Sequence, residues 1–488
     1  MYVVATAGHV DHGKSSLVKA LTGMEPDRWE EEQRRGLTID LGFVWTTLDS
    51  GADVAFVDVP GHEKFLGNML AGVGPAPVVL FVVAADEGWQ EQSTDHRDAL
   101  RALGVHHGVV ALTRADRADD ARRAEVIAQV RAELAGTALV DAPLVPVSAI
   151  TGEGLDALRA ELDAVLAGMP APDATARVRL WVDRAFSVKG AGTVVTGTLA
   201  AGTFAVGDEL VLGEKKVTVR GLQSENASAP SVGPVSRVAV NLRGVDAADV
   251  HRGDALLSPQ AWRMLDTVDV RRTFGSELAQ LPQNIVVHIG TAGVGARLRP
   301  LGGDYARLTL DEPLPLTLLD RFVVRSPGGR HVVAGVEIVD VNPAELNRRG
   351  DAKRRAAQLD EVSPLDPAAW LRRCGYDRVE NLVRDGFAVE NRPAGIIEFR
   401  EWWIAASQVS SWKETLLGAL KYHAETNPLS PGLPRAAAMD ALGVSEPALL
   451  GLAVAAAKVE SAEGVLRLPG QTVDPVSYTH LRAHETSL

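Results

Sequence analysis

Near the start of the chain, Gly8-His-Val-Asp-His-Gly13-Lys14-Ser15 follows the apolar run Tyr2-Val3-Val4-Ala5 and precedes Leu17-Val18-Lys19-Ala20-Leu21. The spacing G-x-x-x-x-G-K-S between an apolar strand and a helix dictates a glycine-curled turn with its backbone N–H groups facing one point. A polyphosphate suits that concavity, and the next helix adds its positive end. On this pattern the backbone from Gly8 through His9, Val10, Asp11, His12, Gly13 and Lys14 to Ser15 and Ser16 surrounds a nucleotide. Lys14 reaches the β- and γ-phosphates, and Ser15 Oγ can ligate Mg²⁺. A glycine-rich corner of no function is the alternative; the flanking strand and helix weigh against it.

Further along, the charged stretch Met24 to Gly42 carries Thr38, a second hydroxyl able to reach Mg²⁺ and sense a γ-phosphate. The strand Val54–Val57 runs into Asp58-Val-Pro-Gly61-His62-Glu63. An acid at that point can hold Mg²⁺ through water, the Gly61 N–H can meet the γ-phosphate, and His62 can orient an attacking water. The strand Gly108–Leu112 ends in Thr113-Arg114-Ala115-Asp116, and Val145-Pro-Val ends in Ser148-Ala149. The Asp116 carboxylate can accept from guanine N1–H and N2–H₂, donors that adenine lacks, and the Ser148 and Ala149 amides can meet O6. Strands alternating with helical patterns predict a parallel sheet covered on both faces, an α/β P-loop GTPase domain over residues 1–172. GTP and GDP are its expected ligands, with Mg²⁺.

Three sets of residues carry a family resemblance: Thr6-Ala-Gly8-His-Val-Asp-His-Gly-Lys-Ser15, Arg35-Gly-Leu-Thr38-Ile-Asp40-Leu-Gly42, and Asp58-Val-Pro-Gly-His-Glu-Lys-Phe-Leu-Gly-Asn-Met-Leu-Ala-Gly72. They resemble the translational GTPases, and more narrowly the selenocysteine-specific elongation factors. Thr113 and Arg114 depart from the general Asn-Lys-x-Asp pattern, and a threonine there is itself similar to that narrower family. The resemblance implies GTP-dependent binding of selenocysteinyl-tRNA, delivery to the ribosome at recoded UGA codons, and ribosome-stimulated hydrolysis with His62 as the catalytic residue. It also implies an aminoacyl pocket between the GTPase domain and the second domain, with Asp183, Arg184, Arg237 and Arg252 as candidates. Guanidinium keeps its proton in any pocket, so such a cluster can select an ionised selenol over a neutral thiol or hydroxyl.

Beyond Pro170 the pattern changes to short strands and glycine turns, which predicts two small antiparallel β-barrels, over residues 173–258 and 259–344. Residues 345–364 read as a basic linker, either a solvated connector or a segment touching RNA phosphate. Helical periodicity returns over 365–475, with Trp412, Leu416, Leu417 and Leu420 on one face, predicting α+β winged-helix modules. In the family the last of these grip an mRNA hairpin. Residues 476–488 resemble the in-frame translation of a transposon-end sequencing adapter; on that reading they are a non-native tail, and the final RNA-binding modules are missing.

Composition bounds the alternatives. A net charge of −13 opposes bulk coating of nucleic acid, and a single cysteine, Cys374, rules out an internal disulfide framework. The longest apolar run, Val78–Ala85, is too short to span a bilayer, so a cytoplasmic protein without membrane partners is expected. An ordinary aminoacyl-tRNA or initiator-tRNA carrier would end after the third domain. A non-catalytic RNA-binding regulator would not need Lys14, Thr38 and His62 together.

Overall fold

In a computed structural model, residues 2–26, 38, 40–62, 65–74, 76–190, 192–329, 331–428 and 430–470 are described. The stretch 476–488 and most of the charged segment before Thr38 lie outside these residues. The chain divides into two units, Met1–Pro364 and Leu365–Leu488.

Buried apolar strands and one-sided helices alternate at the N-terminus: β1 (Tyr2–Ala7), α1 (Lys14–Thr22), β2 (Gly42–Thr47), β3 (Asp53–Asp58), α2 (Leu66–Val73), β4 (Val78–Ala84), α3 (Glu91–Leu103), β5 (His107–Thr113), α4 (Asp120–Glu133), β6 (Leu144–Pro146) and α5 (Leu155–Ala167). The strands form one sheet in the order β2-β3-β1-β4-β5-β6, parallel except for the β2–β3 pair. Every residue of β4 is buried, as expected of a parallel strand covered on both faces. Leu17, Val18 and Leu21 of α1 pack with Leu158, Leu162 and Leu166 of α5 on one face. Met69 and Leu70 of α2, Leu100 of α3, and Val126 and Val130 of α4 cover the other. The carboxyl ends of β1, β3 and β5 therefore meet along one edge, where open α/β sheets bind ligands.

Two antiparallel barrels follow. In the first, the strand Glu209–Leu212 pairs with both Ala255–Leu257 and Lys215–Ser224, closing a ring completed by Arg179–Val188, Gly192–Leu199 and Ser236–Arg243. The second is a closed six-stranded barrel running from Arg263–Gly275 to Val332–Asp340. Arg179 clamps the two together through a bidentate pair with Asp320 at 2.6 and 2.7 Å.

The stretch read as a basic linker differs from expectation. It contains the helix Asp351–Asp360, whose Arg355 is buried against the second barrel and pairs with Asp269 and Asp340. Arg307 binds the same Asp269 at 2.8 Å. Two carboxylates facing two guanidinium groups compensate their desolvation, so Arg355 is a clasp to protein and not a phosphate ligand. Arg355→Ala leaves buried carboxylates short of a partner and is expected to destabilise this unit by about 3–5 kcal/mol. Urea unfolding checks this; a change below about 1 kcal/mol would contradict the clasp.

The second unit contains two groups of elements. Helices Pro367–Cys374 and Val379–Asp385 accompany a three-stranded sheet of Tyr376–Arg378, Trp402–Ala405 and Ile396–Phe399. Helices Ala406–Thr426, Arg435–Leu442 and Pro447–Ala457 precede a hairpin of Glu460–Ala462 and Val465–Arg467. Trp412, Leu416 and Leu420 are buried in its core, whereas Leu417 is only partly so. Among the described residues no single helix is long and apolar enough to cross a membrane.

Candidate functional site

The loop between β1 and α1 is held open by glycine. Gly8 has φ +130°, and a Cβ there would lie 2.1 Å from the Val82 carbonyl oxygen; Gly13 has φ +84°. Both conformations disfavour any other residue. Lys14 is almost fully buried, and its Nζ donates to the Gly8 and His9 carbonyls at 3.1 and 2.8 Å. Ser15 Oγ donates to Asp58 at 2.6 Å and lies 3.0 Å from Thr38 Oγ1. Thr6 Oγ1 fixes the other Asp58 oxygen at 2.9 Å. Three hard oxygens thus converge beside the loop, the donor set a small divalent cation requires.

A cleft of about 600 Å³ opens above them, lined by Val10, Asp11, Gly13, Lys14, Ser15, Ser16, Thr38, Gly61, Thr113, Arg114, Asp116, Ser148 and Ala149. Gly61 packs directly on the loop: a Cβ there would lie 2.6 Å from the Val10 nitrogen. Thr113 Oγ1 donates to the His12 carbonyl at 2.6 Å, tying the Thr113–Asp116 segment to the loop between β1 and α1. A hydrogen bond from Ser148 holds the Asp116 carboxyl below its usual range, so it stays an acceptor. Arg114 pairs with Glu87 at 2.5 Å and also donates to the Asp11 carbonyl, which reinforces the same connection. Glu25, Arg117 and Ile150, absent from the sequence-based candidates, also line the cleft. Ile150 is 78% exposed, an apolar side chain available to a base plane.

Among the candidates, Gly8, His9, His12, Asp58 and His62 are not among the residues lining this cleft. The rings of His9 and His12 lie 5.0 Å apart, and His12 is fully buried. Below the loop, two α3 side chains that sequence reasoning missed accept from its backbone: Gln92 from Val10 N–H at 3.0 Å and His96 from Gly8 N–H at 2.9 Å. Their signal is a polar i, i+4 pair on the helix after the most buried strand. The His62 ring lies 6.0 Å from that of Phe65.

Burial pushes the His12 imidazole down to about 3 and drives His96 well below its ordinary value, with the Lys14 charge adding to both. Neutral rings are therefore the native form. Their stabilising contribution is complete above about pH 6.5 and is lost for His12 as pH falls toward 3, at roughly 1.4 kcal/mol per pH unit for each ring. Urea midpoints should fall between pH 7 and 5.5, less so for His12→Gln; equal falls for both proteins would contradict this.

The four pocket candidates gather where the first barrel meets the GTPase domain. Arg237 makes a bidentate pair with Asp183, and its Cζ lies 3.8 Å above the Phe43 ring of β2. Arg184 Nη2 forms an ion pair with Asp40 and donates to the Leu41 carbonyl, each at 2.8 Å. Arg252 donates to the Gly67 carbonyl at 2.8 Å and binds the Asn68 side-chain oxygen. Asp40, Phe43 and Asn68 were not among the candidates, because nothing local marks contacts made across domains.

Comparison with known proteins agrees with this architecture. The Elongation factor Tu GTP binding domain matches residues 1–168, and the β-barrel domain of selenocysteine-specific elongation factor matches 266–345. The selenocysteine-specific elongation factor of Escherichia coli (strain K12) is 35% identical over 451 residues, covering 88% of this chain and 71% of that protein. The chain belongs to the selenocysteine-specific elongation factor family. A second relative of that name, from Desulfomicrobium baculatum, is 39% identical over 380 residues, covering 75% of this chain and 59% of its own length. The crystal structure of bacterial selenocysteine-specific elongation factor EF-Sec superposes with a TM-score of 0.87 at 25% identity, over 99% of this chain and 81% of that one. Like other members of the selenocysteine-specific elongation factor family, the chain is a translational GTPase that binds guanine nucleotide.

Proposed function

We propose that this GTP-dependent, tRNA-delivering elongation factor selects selenocysteinyl-tRNA, brings it to the ribosome at recoded UGA codons, and chooses its cargo by charge. The observation that carries the reading is the cluster of Arg184, Arg237 and Arg252 at the edge of the GTPase domain. A selenolate offers a full negative charge to guanidinium donors, a neutral thiol or hydroxyl does not, and charge-assisted bonds are roughly twice as strong as neutral ones.

In the nucleotide cleft the loop amides and Lys14 hold the phosphates, and Asp116 reads the base. Gly61 N–H is the γ-phosphate contact, and His62 orients the attacking water. Ser15, Thr38 and, through water, Asp58 fit Mg²⁺, which when bound offsets phosphate charge. The elements over 406–470 follow the order of a winged helix, a module type that grips an mRNA hairpin in the family. Here the helix Pro447–Ala457 has no charged side chain, and the segment after it carries Lys458, Glu460, Glu463 and Arg467, with no net charge to draw it to phosphate.

Binding of selenocysteinyl- and seryl-tRNA in the presence of a non-hydrolysable GTP analogue tests the reading. Wild type should prefer selenocysteinyl-tRNA and Arg237→Ala should lose most of that preference; equal affinities for wild type would refute it.

A further inference from the structure

Two kinds of anchor hold the pocket arginines. Arg237 is fixed by Asp183, a residue of the same barrel, with Thr196 Oγ1 bracing that carboxylate at 2.6 Å. Arg184 and Arg252 are held instead by the GTPase domain, at Asp40 with Leu41 and at Gly67 with Asn68. We infer that Asp40 is a positioning residue through which the nucleotide state sets the cargo selectivity of Arg184. This inference rests on the aminoacyl-pocket reading above.

Asp40 lies two residues after Thr38, whose hydroxyl sits against Ser15, and two before Gly42, which pairs with Asp58 in the β2–β3 ladder. One short bridge therefore has the cation-binding oxygens at one end and Arg184 at the other. Its carboxylate is itself oriented, since Oδ1 accepts the Leu41 N–H at 2.8 Å while Oδ2 takes Arg184 at 2.8 Å. Arg184 Nη2 donates to the Leu41 carbonyl and is ion-paired with the Asp40 carboxylate. Nε and Nη1 have no hydrogen-bond partner among the described residues, which leaves one edge of the fork aimed and available to an anion.

GTPases hold such segments through the γ-phosphate and release them on hydrolysis. Release of Thr38 withdraws Asp40 and Leu41 together, and Arg184 loses both acceptors that orient it. Arg237 keeps its own. Cargo discrimination is therefore high in the GTP form and lower in the GDP form, and by linkage the correct cargo favours the GTP form more than the wrong cargo does, by the same factor.

The test measures the dissociation constants of selenocysteinyl- and seryl-tRNA with the full chain, and takes their ratio in a non-hydrolysable GTP analogue and in GDP. Asp40→Asn is expected to lower that ratio about tenfold in the GTP form and to leave it unchanged in the GDP form. Asp40→Glu, which keeps the carboxylate, should retain most of the wild-type ratio. In an Arg184→Ala background, adding Asp40→Asn should change nothing, because the two residues act as one unit. A ratio that is unchanged or raised in the GTP form, falls equally in both forms, or falls additively in the double variant overturns the inference while the pocket reading stands. A wild type with no preference between the two tRNAs removes the pocket reading and this inference with it.

Discussion

Asp116→Asn is expected to lower the affinity for GTP by about three orders of magnitude and to raise that for xanthosine triphosphate. The carboxylate is held below its usual range by a hydrogen bond from Ser148 and lines the cleft. On the proposed role it accepts from both N1–H and N2–H₂ of guanine. Hydrogen bonds to a charged group contribute roughly 1.5–3 kcal/mol each. Losing one acceptor and facing an N–H with an N–H₂ costs about 4 kcal/mol, or roughly a thousandfold. Xanthine carries an oxygen at position 2, which an amide can donate to, so the same change favours it. Competitive binding of the two triphosphates decides the matter. A tenfold loss without a gain for xanthine would move base recognition to the Ser148–Ala149 loop.

His62→Ala is expected to reduce ribosome-stimulated GTP hydrolysis by about a thousandfold, within the range a positioned proton-handling or water-orienting side chain contributes. His62 follows Gly61, which packs against the phosphate loop so closely that a Cβ would collide with the Val10 nitrogen. Its ring, 6.0 Å from that of Phe65, is not among the cleft-lining groups, and on the proposed role it turns toward the cleft to meet the water. Nucleotide affinity should change by no more than about threefold, because the phosphate-binding groups stay in place. Single-turnover hydrolysis with and without ribosomes separates the two quantities. Unimpaired turnover would remove His62 from the chemistry.

The parts legible in the sequence are those whose signal is local. Gly8, Lys14 and Ser15 stand at fixed offsets behind a buried strand, and Asp58 and Asp116 end or follow strands of the same sheet. Strand-end position and motif spacing together specify where such residues go. The hidden parts depend on partners far away in the chain. Arg355 reads as a solvated basic residue until Asp269 and Asp340 surround it. Asp40 reads as one more acid in a charged stretch, and its meaning comes from Arg184 on a different domain. His9 and His12 belong to the phosphate-loop motif, yet their side chains do not line the cleft, since side-chain direction is decided by packing.

Selection of cargo by charge at an arginine pocket makes binding depend on pH. Amide-linked analogues of selenocysteinyl-, cysteinyl- and seryl-tRNA can be compared between pH 7 and 9 with a non-hydrolysable GTP analogue. A cysteine thiol ionises near ~8.5, whereas a serine hydroxyl stays neutral throughout. Cysteinyl-tRNA affinity should climb toward that of selenocysteinyl-tRNA as pH rises through the thiol range, with seryl-tRNA unchanged. Parallel, flat profiles for cysteine and serine would mean that size or shape, and not charge, selects the cargo.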